Sequence, residues 1–192
     1  MRIFLVGFMG VGKSALGKGL AAELGLRFID LDKEIEKHFG KDAAAVFASE
    51  GESAFRDVES QKLAEAIESD DFVLATGGGT ACFGDNMQQM NESGTTIYLK
   101  MSTDHLMQRL EPESDSRPML GGKTGHELWT LIHELLQERE PDYLKAHYKV
   151  KAWDLKAPDL AEFLRLYKVV PGLETEEADT EGDDDSENEE EA

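Results

Sequence analysis

The sequence lacks most features that mark secreted, membrane-spanning or nucleic-acid-binding proteins. Its 192 residues include one cysteine, Cys82. A single cysteine excludes an internal disulfide framework and a cysteine-cluster zinc site. We interpret Cys82 as a buried apolar side chain. No apolar stretch approaches the roughly 20 residues that a transmembrane helix needs. Only 20 basic residues stand against 40 acidic ones, which argues against a nucleic-acid partner. We therefore expect a cytoplasmic protein that binds neither membranes nor nucleic acids.

The excess of negative charge is concentrated at the C-terminus. Residues 174–192 contain 12 acidic and no basic residues, which leaves 28 acidic and 20 basic residues, a net charge of −8, for the rest of the chain. A segment of this composition has too little apolar surface to offset the entropy that ordering costs. We expect one folded domain over residues 1–170 and a disordered, solubilising tail over residues 171–192.

A phosphate-binding motif lies near the N-terminus. Residues 7–14 read GFMGVGKS and match GxxxxGK[ST] at every required position. The motif follows an apolar run at residues 3–6, typical of a buried parallel strand, and precedes leucines spaced one helical turn apart. In this context the loop N–H groups and the helix N-terminus bind phosphate. The residues expected at the nucleotide are Gly10, Val11, Gly12, Lys13, Ser14 and Ala15, with Lys13 at the β- and γ-phosphates and Ser14 on Mg²⁺.

Apolar runs alternate with helical patterns along the chain. We predict strands at residues 3–6, 28–31, 72–75, 96–99 and 148–153, and helices at 15–24, within 33–67, and at 103–110, 127–138 and 158–167. This alternation predicts a parallel sheet covered on both faces.

Two stretches interrupt the alternation of strands and helices. Residues 33–66, broken at Gly40 and Gly51, indicate an inserted helical subdomain, and residues 111–125, rich in glycine and proline, indicate a mobile lid.

Two aspartates, Asp30 and Asp32, close the second predicted strand. Alternation places both on one side of the strand, at the sheet edge where ligands bind in open α/β folds. One carboxylate there would hold Mg²⁺ through water, and the other would orient a substrate hydroxyl. Alternatively, Asp32 caps the helix that follows, and the spacing alone does not decide between these interpretations.

The remaining candidate sites are three arginines, one of them with a nearby glutamate, and a run of glycines. Arg56 and Glu59 lie three residues apart in a helical pattern, so they form either a surface ion pair or an anion-binding unit. Three consecutive glycines at residues 77–79 follow a strand and indicate backbone that approaches an anion closely. Arg117 in the lid is suited to a transferring phosphoryl group. Arg139 would either stabilise a helix C-terminus or bind a carboxylate.

Taken together in sequence order, these motifs resemble those of the shikimate kinases, a family of the nucleoside monophosphate kinase-like group. The resemblance extends from Met1 to about Tyr167. It rests on GFMGVGKS at 7–14, DLD at 30–32, FR at 55–56 with Glu59, GGG at 77–79, RP at 117–118 and REPDY at 139–143. Each motif alone could occur by chance, whereas the ordered set is very specific.

The resemblance implies a P-loop NTPase fold with a five-stranded parallel sheet of order 2-3-1-4-5. Residues 33–66 would be the substrate-binding insertion and residues 111–125 the lid. It implies transfer of the ATP γ-phosphoryl group to the 3-hydroxyl of shikimate, with Mg²⁺, in aromatic amino acid biosynthesis. We expect the enzyme to be a monomer.

The resemblance also assigns roles to the candidate residues. Asp32 would bind the reacting hydroxyl and accept its proton, Asp30 would support Mg²⁺ through water beside Ser14, and Arg117 would close with the lid onto the phosphates. Arg109 resembles the arginine that stacks on adenine. The residues implied at shikimate are Arg56 and Arg139 on the carboxylate, Gly77, Gly78 and Gly79 through backbone N–H groups, Glu59 as the orienting partner of Arg56, and Phe47 and Phe55 on the ring.

Some features depart from the family pattern, and two rival functions remain. The acidic tail is not part of that pattern, residues 152–158 match the expected adenine loop only loosely, and no role is implied for the five histidines. One rival is another small-molecule kinase of the same architecture, such as a gluconate kinase. The other is a nucleotide-binding regulator that has lost catalysis. The presence of all the candidate phosphate-binding and catalytic residues argues against this second function.

Overall fold

A five-stranded parallel β-sheet forms the centre of the molecule, with strand order β2-β3-β1-β4-β5. The computed structural model describes residues 1–117, 119–167 and 169–170, so the predicted tail at 171–192 and Pro118 of the predicted lid lie outside the described residues. The strands are β1 (Arg2–Val6), β2 (Arg27–Asp30), β3 (Phe72–Ala75), β4 (Thr95–Lys100) and β5 (Tyr148–Lys151). The predicted fold class and strand order are confirmed.

Helices flank the sheet and account for most of the remaining described chain. They are α1 (Lys13–Leu24), α2 (Leu31–Phe39), α3 (Ala43–Ile67), α4 (Asn86–Ser93), α5 (Thr103–Leu110), α6 (Gly125–Tyr143) and α7 (Ala157–Leu166). Short 3₁₀ helices lie at Thr80–Cys82 and Glu111–Ser116. In the described ranges, no helix combines the length and apolar character needed to cross a membrane.

The burial of the strands follows from their positions in the sheet. Ile3 to Val6 of β1 and all four residues of β3 are buried, as expected for central strands covered on both faces. Phe4 of β1 pairs in register with Leu74 of β3 and with Thr96 of β4. The edge strand β5 instead alternates, with Lys149 and Lys151 exposed, a pattern that discourages pairing with another chain.

The predicted insertion forms two helices, and both predicted interruptions are present. Gly40 has a φ of 68° and ends α2 in the left-handed region, where its N–H bonds to the Glu36 carbonyl. Gly51 has a φ of 84° and a ψ of 169° and breaks α3 into two helical pieces. The second piece of α3 carries Arg56 and Glu59 toward the carboxyl edge of the sheet.

Several predicted boundaries are wrong. The second strand ends at Asp30 rather than at residue 31, because Leu31 already begins α2, and the fifth strand ends at Lys151 rather than at residue 153. Helix α6 continues past the predicted end at residue 138 to Tyr143, although Pro141 inside it removes one backbone N–H donor.

Helix α4 was not predicted, and the lid segment holds more regular structure than a loop. The sequence of α4, NMQQMNES, has only two apolar residues, Met87 and Met90, which are both buried. The lid segment starts with the 3₁₀ helix Glu111–Ser116, and Leu120 is fully buried. The predicted lid therefore begins with regular structure and is attached to the core at Leu120.

Candidate active site

The phosphate-binding motif forms a glycine-rich turn between β1 and α1. Gly7, Gly10 and Gly12 have φ values of 142°, 76° and 99°, which residues with a side chain rarely adopt. In the described structure no side chain caps α1, so its first-turn N–H groups are available to an anion. A Cβ on Gly10 would lie 2.6 Å from Leu110 Cδ2, so the turn packs closely against the end of α5. The predicted strand–loop–helix context is confirmed.

Lys13 lies beneath this turn, with only 7% of its surface exposed. Its Nζ donates to the carbonyl oxygens of Gly7 at 2.7 Å and Phe8 at 3.0 Å. Burial lowers the pKa of the Lys13 ammonium to about 8, an effect that the carboxylates of Asp32 and Asp30 oppose. The positive charge is therefore held close to the phosphate-binding turn by carbonyl groups that a phosphate can replace.

Asp30 and Asp32 both line one cavity together with Ser14, as predicted, but for a different structural reason. Asp30 is the last residue of β2, and its carboxylate accepts from the Lys33 N–H at 3.3 Å as the N-cap of α2. Asp32 lies in the first turn of α2, so strand alternation does not align the two, and the alternative that Asp32 is the cap is wrong.

The environment of Asp32 shifts the protonation equilibrium of its carboxyl group toward the neutral form. Asp32 is an exposed residue that lines the cavity, but the surrounding protein partly screens its carboxyl group from water. This desolvation raises the pKa of Asp32 above its ordinary value, Lys13 opposes the shift, and Glu59 and Asp30 add to it. A carboxyl group with a raised pKa is suited to exchanging a proton with a bound hydroxyl.

Arg56 and Glu59 form a buried pair, so the alternative of a surface ion pair is wrong. Arg56 NH1 lies 2.7 Å from Glu59 Oε2, and the Glu59 side chain is fully buried. Arg56 NH2 also contacts Glu52 Oε1 at 3.2 Å, and the Glu52 side chain is largely exposed. Sequence reasoning missed Glu52, although its position four residues before Arg56 on one helix face was a usable signal.

The three glycines at residues 77–79 provide space for side chains from other elements. A Cβ on Gly79 would lie 2.5 Å from Arg56 NH2, and a Cβ on Gly77 would lie 2.8 Å from Asp32 Oδ1. Neither residue has a positive φ, so these glycines are needed for close approach rather than for an unusual backbone conformation. The Tyr143 hydroxyl donates to the Gly78 carbonyl and connects this turn to α6.

Arg139 projects from α6 with an unsatisfied donor. The residue is 8% exposed, and its buried NH1 has no hydrogen-bond partner among the described residues. Its NH2 lies 3.8 Å from Met119 Sδ in the predicted lid. Because α6 continues to Tyr143, the interpretation of Arg139 as a cation at the helix C-terminus is wrong. A buried guanidinium with a free donor instead favours an anionic ligand.

Arg117 also lines the cavity, but a carboxylate already pairs with it. Its Nε and NH2 lie 2.9 Å and 2.5 Å from Glu113 Oε2, and the Arg117 side chain is partly exposed. A ligand that recruits Arg117 must share or replace this ion pair.

These side chains surround a single cavity of about 550 Å³ at the carboxyl edge of the sheet. The cavity brings together Ser14, Asp30, Asp32, Phe47, Phe55, Arg56, Glu59, Gly77, Gly78, Gly79, Arg117 and Arg139, along with Met119, which was not predicted. The Phe47 and Phe55 rings lie 4.5 Å apart and form an apolar wall. A lining with charges of both signs, two buried arginines and an aromatic wall suit a small anionic ring compound that also carries hydroxyl groups.

The other predicted nucleotide residues lie beside this cavity rather than in its lining. Gly10, Val11, Gly12 and Ala15 belong to the turn and the start of α1. Arg109 NH1 donates to the Val11 carbonyl at 3.1 Å, and its guanidinium carbon lies 5.4 Å from the centre of the Trp153 ring. Trp153, from the predicted adenine loop, stacks on His105 at 3.8 Å.

Cys82 takes no part in this chemistry. Burial raises the pKa of its thiol to about 11, so the nucleophilic thiolate is scarce at neutral pH. The side chain is only partly buried, which corrects the expectation of full burial.

A phosphate-binding turn, adjacent carboxylates and convergent arginines around one cavity define a P-loop kinase that acts on a small molecule. Comparisons with known proteins identify the family. The family model described as "Shikimate kinase" matches residues 9–167. The chain belongs to the shikimate kinase family.

Individual relatives agree with this assignment. A shikimate kinase of Parabacteroides distasonis is 50% identical over 145 residues, which cover 76% of this chain and 84% of that protein. The crystal structure of shikimate kinase from Bacteroides thetaiotaomicron has a TM-score of 0.82 and 39% identity, and the match covers 88% of this chain and 99% of that one. The shikimate kinase from Acinetobacter baumannii, solved in complex with shikimate, has a TM-score of 0.79 and 35% identity, with 87% and 92% of the chains covered.

Proposed function

We propose that this chain transfers the γ-phosphoryl group of ATP to the 3-hydroxyl of shikimate, giving shikimate 3-phosphate and ADP in aromatic amino acid biosynthesis. The observation that carries the proposal is the shared cavity. It places Ser14 of the phosphate-binding turn in one space with two buried arginines, Arg56 and Arg139, and the latter has an unsatisfied donor. A substrate that joins these two ends would carry an anionic group, such as a carboxylate, and a reactive hydroxyl.

The substrate end of the cavity is suited to a cyclic carboxylate. Arg56 and Arg139 would bind the carboxylate through charge-assisted hydrogen bonds, and the backbone of residues 77–79 would approach it closely. Glu59 would hold Arg56 in place through their 2.7 Å contact. The aromatic wall formed by Phe47 and Phe55 would pack on the ring.

Transfer requires a bond from the substrate oxygen to the γ-phosphorus to form as the bond to the ADP oxygen breaks. Asp32 would hold the 3-hydroxyl in line and accept its proton. Lys13 and Arg117 would stabilise the charge on the transferring group, and Arg117 would exchange its Glu113 contact for the phosphates. Because such transition states are largely dissociative, the orienting role of Asp32 contributes at least as much as its basicity.

The donor set also fits Mg²⁺. The Ser14 hydroxyl and the Asp30 carboxylate are hard oxygen ligands on the same cavity, and Mg²⁺ is usually bound by one or two such groups together with substrate phosphates. Over the described ranges, no three His, Cys, Asp or Glu side chains form a metal cluster, so most ligands would come from phosphate and water. Bound Mg²⁺ would neutralise phosphate charge.

Further parts of the proposal concern the nucleotide base and the moving segments. Arg109 would stack on adenine from its place beside the phosphate-binding turn. Residues 33–66 would act as the substrate-binding insertion and residues 111–125 as the lid within a kinase domain of residues 1–170. A cytoplasmic location and a monomeric state are further expectations.

A coupled assay of ADP release with purified protein tests the proposal against both rival functions. We expect turnover with ATP and shikimate and none with gluconate. Turnover with gluconate alone would overturn the substrate assignment, and no turnover with any hydroxylated acid would favour the regulator.

Asp32→Asn tests the assigned mechanism. Removing a general base costs about 100-fold or more in turnover, while ATP affinity, measured by calorimetry, should stay within about twofold. The conservative Glu36→Gln change, at another acidic residue of α2 that lines the cavity, should leave most turnover intact. Equal rates for Asp32→Asn and the unmodified enzyme would remove the role assigned to Asp32.

A further inference from the structure

Glu59 has two hydrogen-bonded oxygens, and only one of them faces Arg56. While Oε2 pairs with Arg56, Oε1 accepts a hydrogen bond of 2.6 Å from Thr80 Oγ1. Glu59 and Thr80 are both fully buried. A buried carboxylate is stable in one orientation only when its lone pairs are satisfied, so Thr80 determines which way Glu59 presents its second oxygen.

Thr80 is itself held firmly in place. It begins the 3₁₀ helix that follows the glycine turn, and its carbonyl accepts from Asn86 Nδ2 at 3.0 Å. Asn86 is fully buried at the start of α4. The connection therefore runs from α4 through Thr80 and Glu59 to the guanidinium of Arg56.

The same connection passes close to the reacting end of the site. A Cβ on Gly77 would lie 2.7 Å from Glu59 Oε1, 2.8 Å from Asp32 Oδ1 and 3.0 Å from Thr80 Oγ1. These three oxygen atoms converge on one glycine, and Glu59 contributes to the raised pKa of Asp32.

We propose that Thr80 is a positioning residue for the shikimate carboxylate, which it sets through Glu59 and Arg56. The proposal rests on the proposed function, because it assigns the substrate carboxylate to Arg56. It predicts an effect on substrate binding rather than on the phosphoryl-transfer step, because Thr80 does not itself line the cavity and acts on it through its hydrogen bond to Glu59.

Thr80→Val removes the hydroxyl and nearly keeps the size of the side chain. We expect the KM for shikimate to rise about tenfold, with kcat and the KM for ATP changed by less than about twofold. The reason is that the lost interaction stabilises bound shikimate equally in the ground state and in the transition state. Thr80→Ser, which restores the donor, should return the KM for shikimate to near the original value. Thr96→Val is the matched control, because Thr96 is also fully buried and donates to Asn91 Oδ1, away from the cavity.

The outcomes distinguish a failure of the positioning role from a failure of the proposed function. An unchanged KM for shikimate in Thr80→Val, or an equal rise in Thr96→Val, would overturn the positioning role. Should Thr80→Val not fold, Thr80→Ala compared with Thr80→Ser makes the same test, because these two variants differ only in the hydroxyl. If instead the unmodified enzyme shows no turnover with shikimate, the proposed function fails, and the positioning role fails with it.

Discussion

At the scale of single residues, the charge of Lys13 is finely balanced. Burial lowers its pKa to about 8, so the ammonium form predominates below that pH and the neutral amine predominates above it when no phosphate is bound. A bound triphosphate stabilises the ammonium form and therefore raises its pKa. Nucleotide binding above this pH must be accompanied by proton uptake.

We accordingly predict that ATP affinity is constant below about pH 7 and weakens by up to tenfold per pH unit above about pH 8. Calorimetry in two buffers of different ionisation enthalpy would measure both the affinity and the proton uptake. Lys13→Arg is the matched variant, because arginine keeps its charge at these pH values, and any ATP affinity that it retains should lose this pH dependence. A flat affinity profile for the unmodified enzyme would contradict the prediction.

Whether the sequence alone could identify a residue depended on how far along the chain its contact partners lie. The positions of Lys13 and Ser14 at the glycine-rich turn were predicted correctly, because a contiguous motif fixes them, and their contacts with nucleotide and Mg²⁺ stay predictions. Thr80 was missed, because its partner Glu59 is 21 residues away and only the folded chain brings them together. The choice between a capping and a chemical role at Asp30 and Asp32 needed the end of β2, because the strand ends one residue earlier than predicted and the cap is Asp30 rather than Asp32.

At the scale of structural elements, the glycine turn is a spacer that admits Arg56. Gly79 has a φ of −104°, which alanine adopts without strain, but a Cβ there would lie 2.5 to 2.8 Å from three guanidinium atoms of Arg56. The guanidinium is the flexible end of the Arg56 side chain, so an alanine Cβ would displace this group rather than the backbone.

Gly79→Ala should therefore raise the KM for shikimate by about tenfold or more while the melting temperature and the KM for ATP change little. Steady-state kinetics and thermal unfolding measure these effects. Gly84→Ala is a suitable control, because its Cβ would meet no atom within 4 Å while its positive φ of 56° makes alanine strained. This control should lose stability and keep its substrate affinity, and the reverse pattern would contradict the spacer role.

Elements were predictable where their side chains follow a clear period. The central strands and α1 were predicted because their apolar residues are continuous or spaced one turn apart. Helix α4 was missed because two methionines in eight residues give no distinct period, and tertiary packing rather than propensity buries them. The chain contains no local signal for the strand order, which only the family resemblance supplied.

At the scale of the whole molecule, the described residues of the site come from distant parts of the chain. The cavity lining extends from Met9 to Arg139, and the match to the family ends at residue 167. The segment after Val170 carries 12 acidic residues and changes the net charge from −8 to −20. Its contribution is expected to be solubility rather than catalysis.

Truncation after Val170 should leave kcat and both KM values within about twofold and lower the solubility near neutral pH. Steady-state kinetics and a precipitation assay would show this. A tail of equal length built from glycine and serine separates charge from length, and it should be no more soluble than the truncated chain. Loss of turnover on truncation would show that the acidic segment acts on the site.

The break at Gly51 sets the angle between two pieces of α3 that both line the cavity. Phe47 lies on the short piece before the break, whereas Phe55 and Arg56 lie on the longer piece after it. The torsion angles of Gly51 fall in a region that essentially only glycine occupies, and a Cβ there would meet no atom within 4 Å. A side chain at position 51 would therefore strain the backbone at the point that sets how Phe47 lies against Phe55.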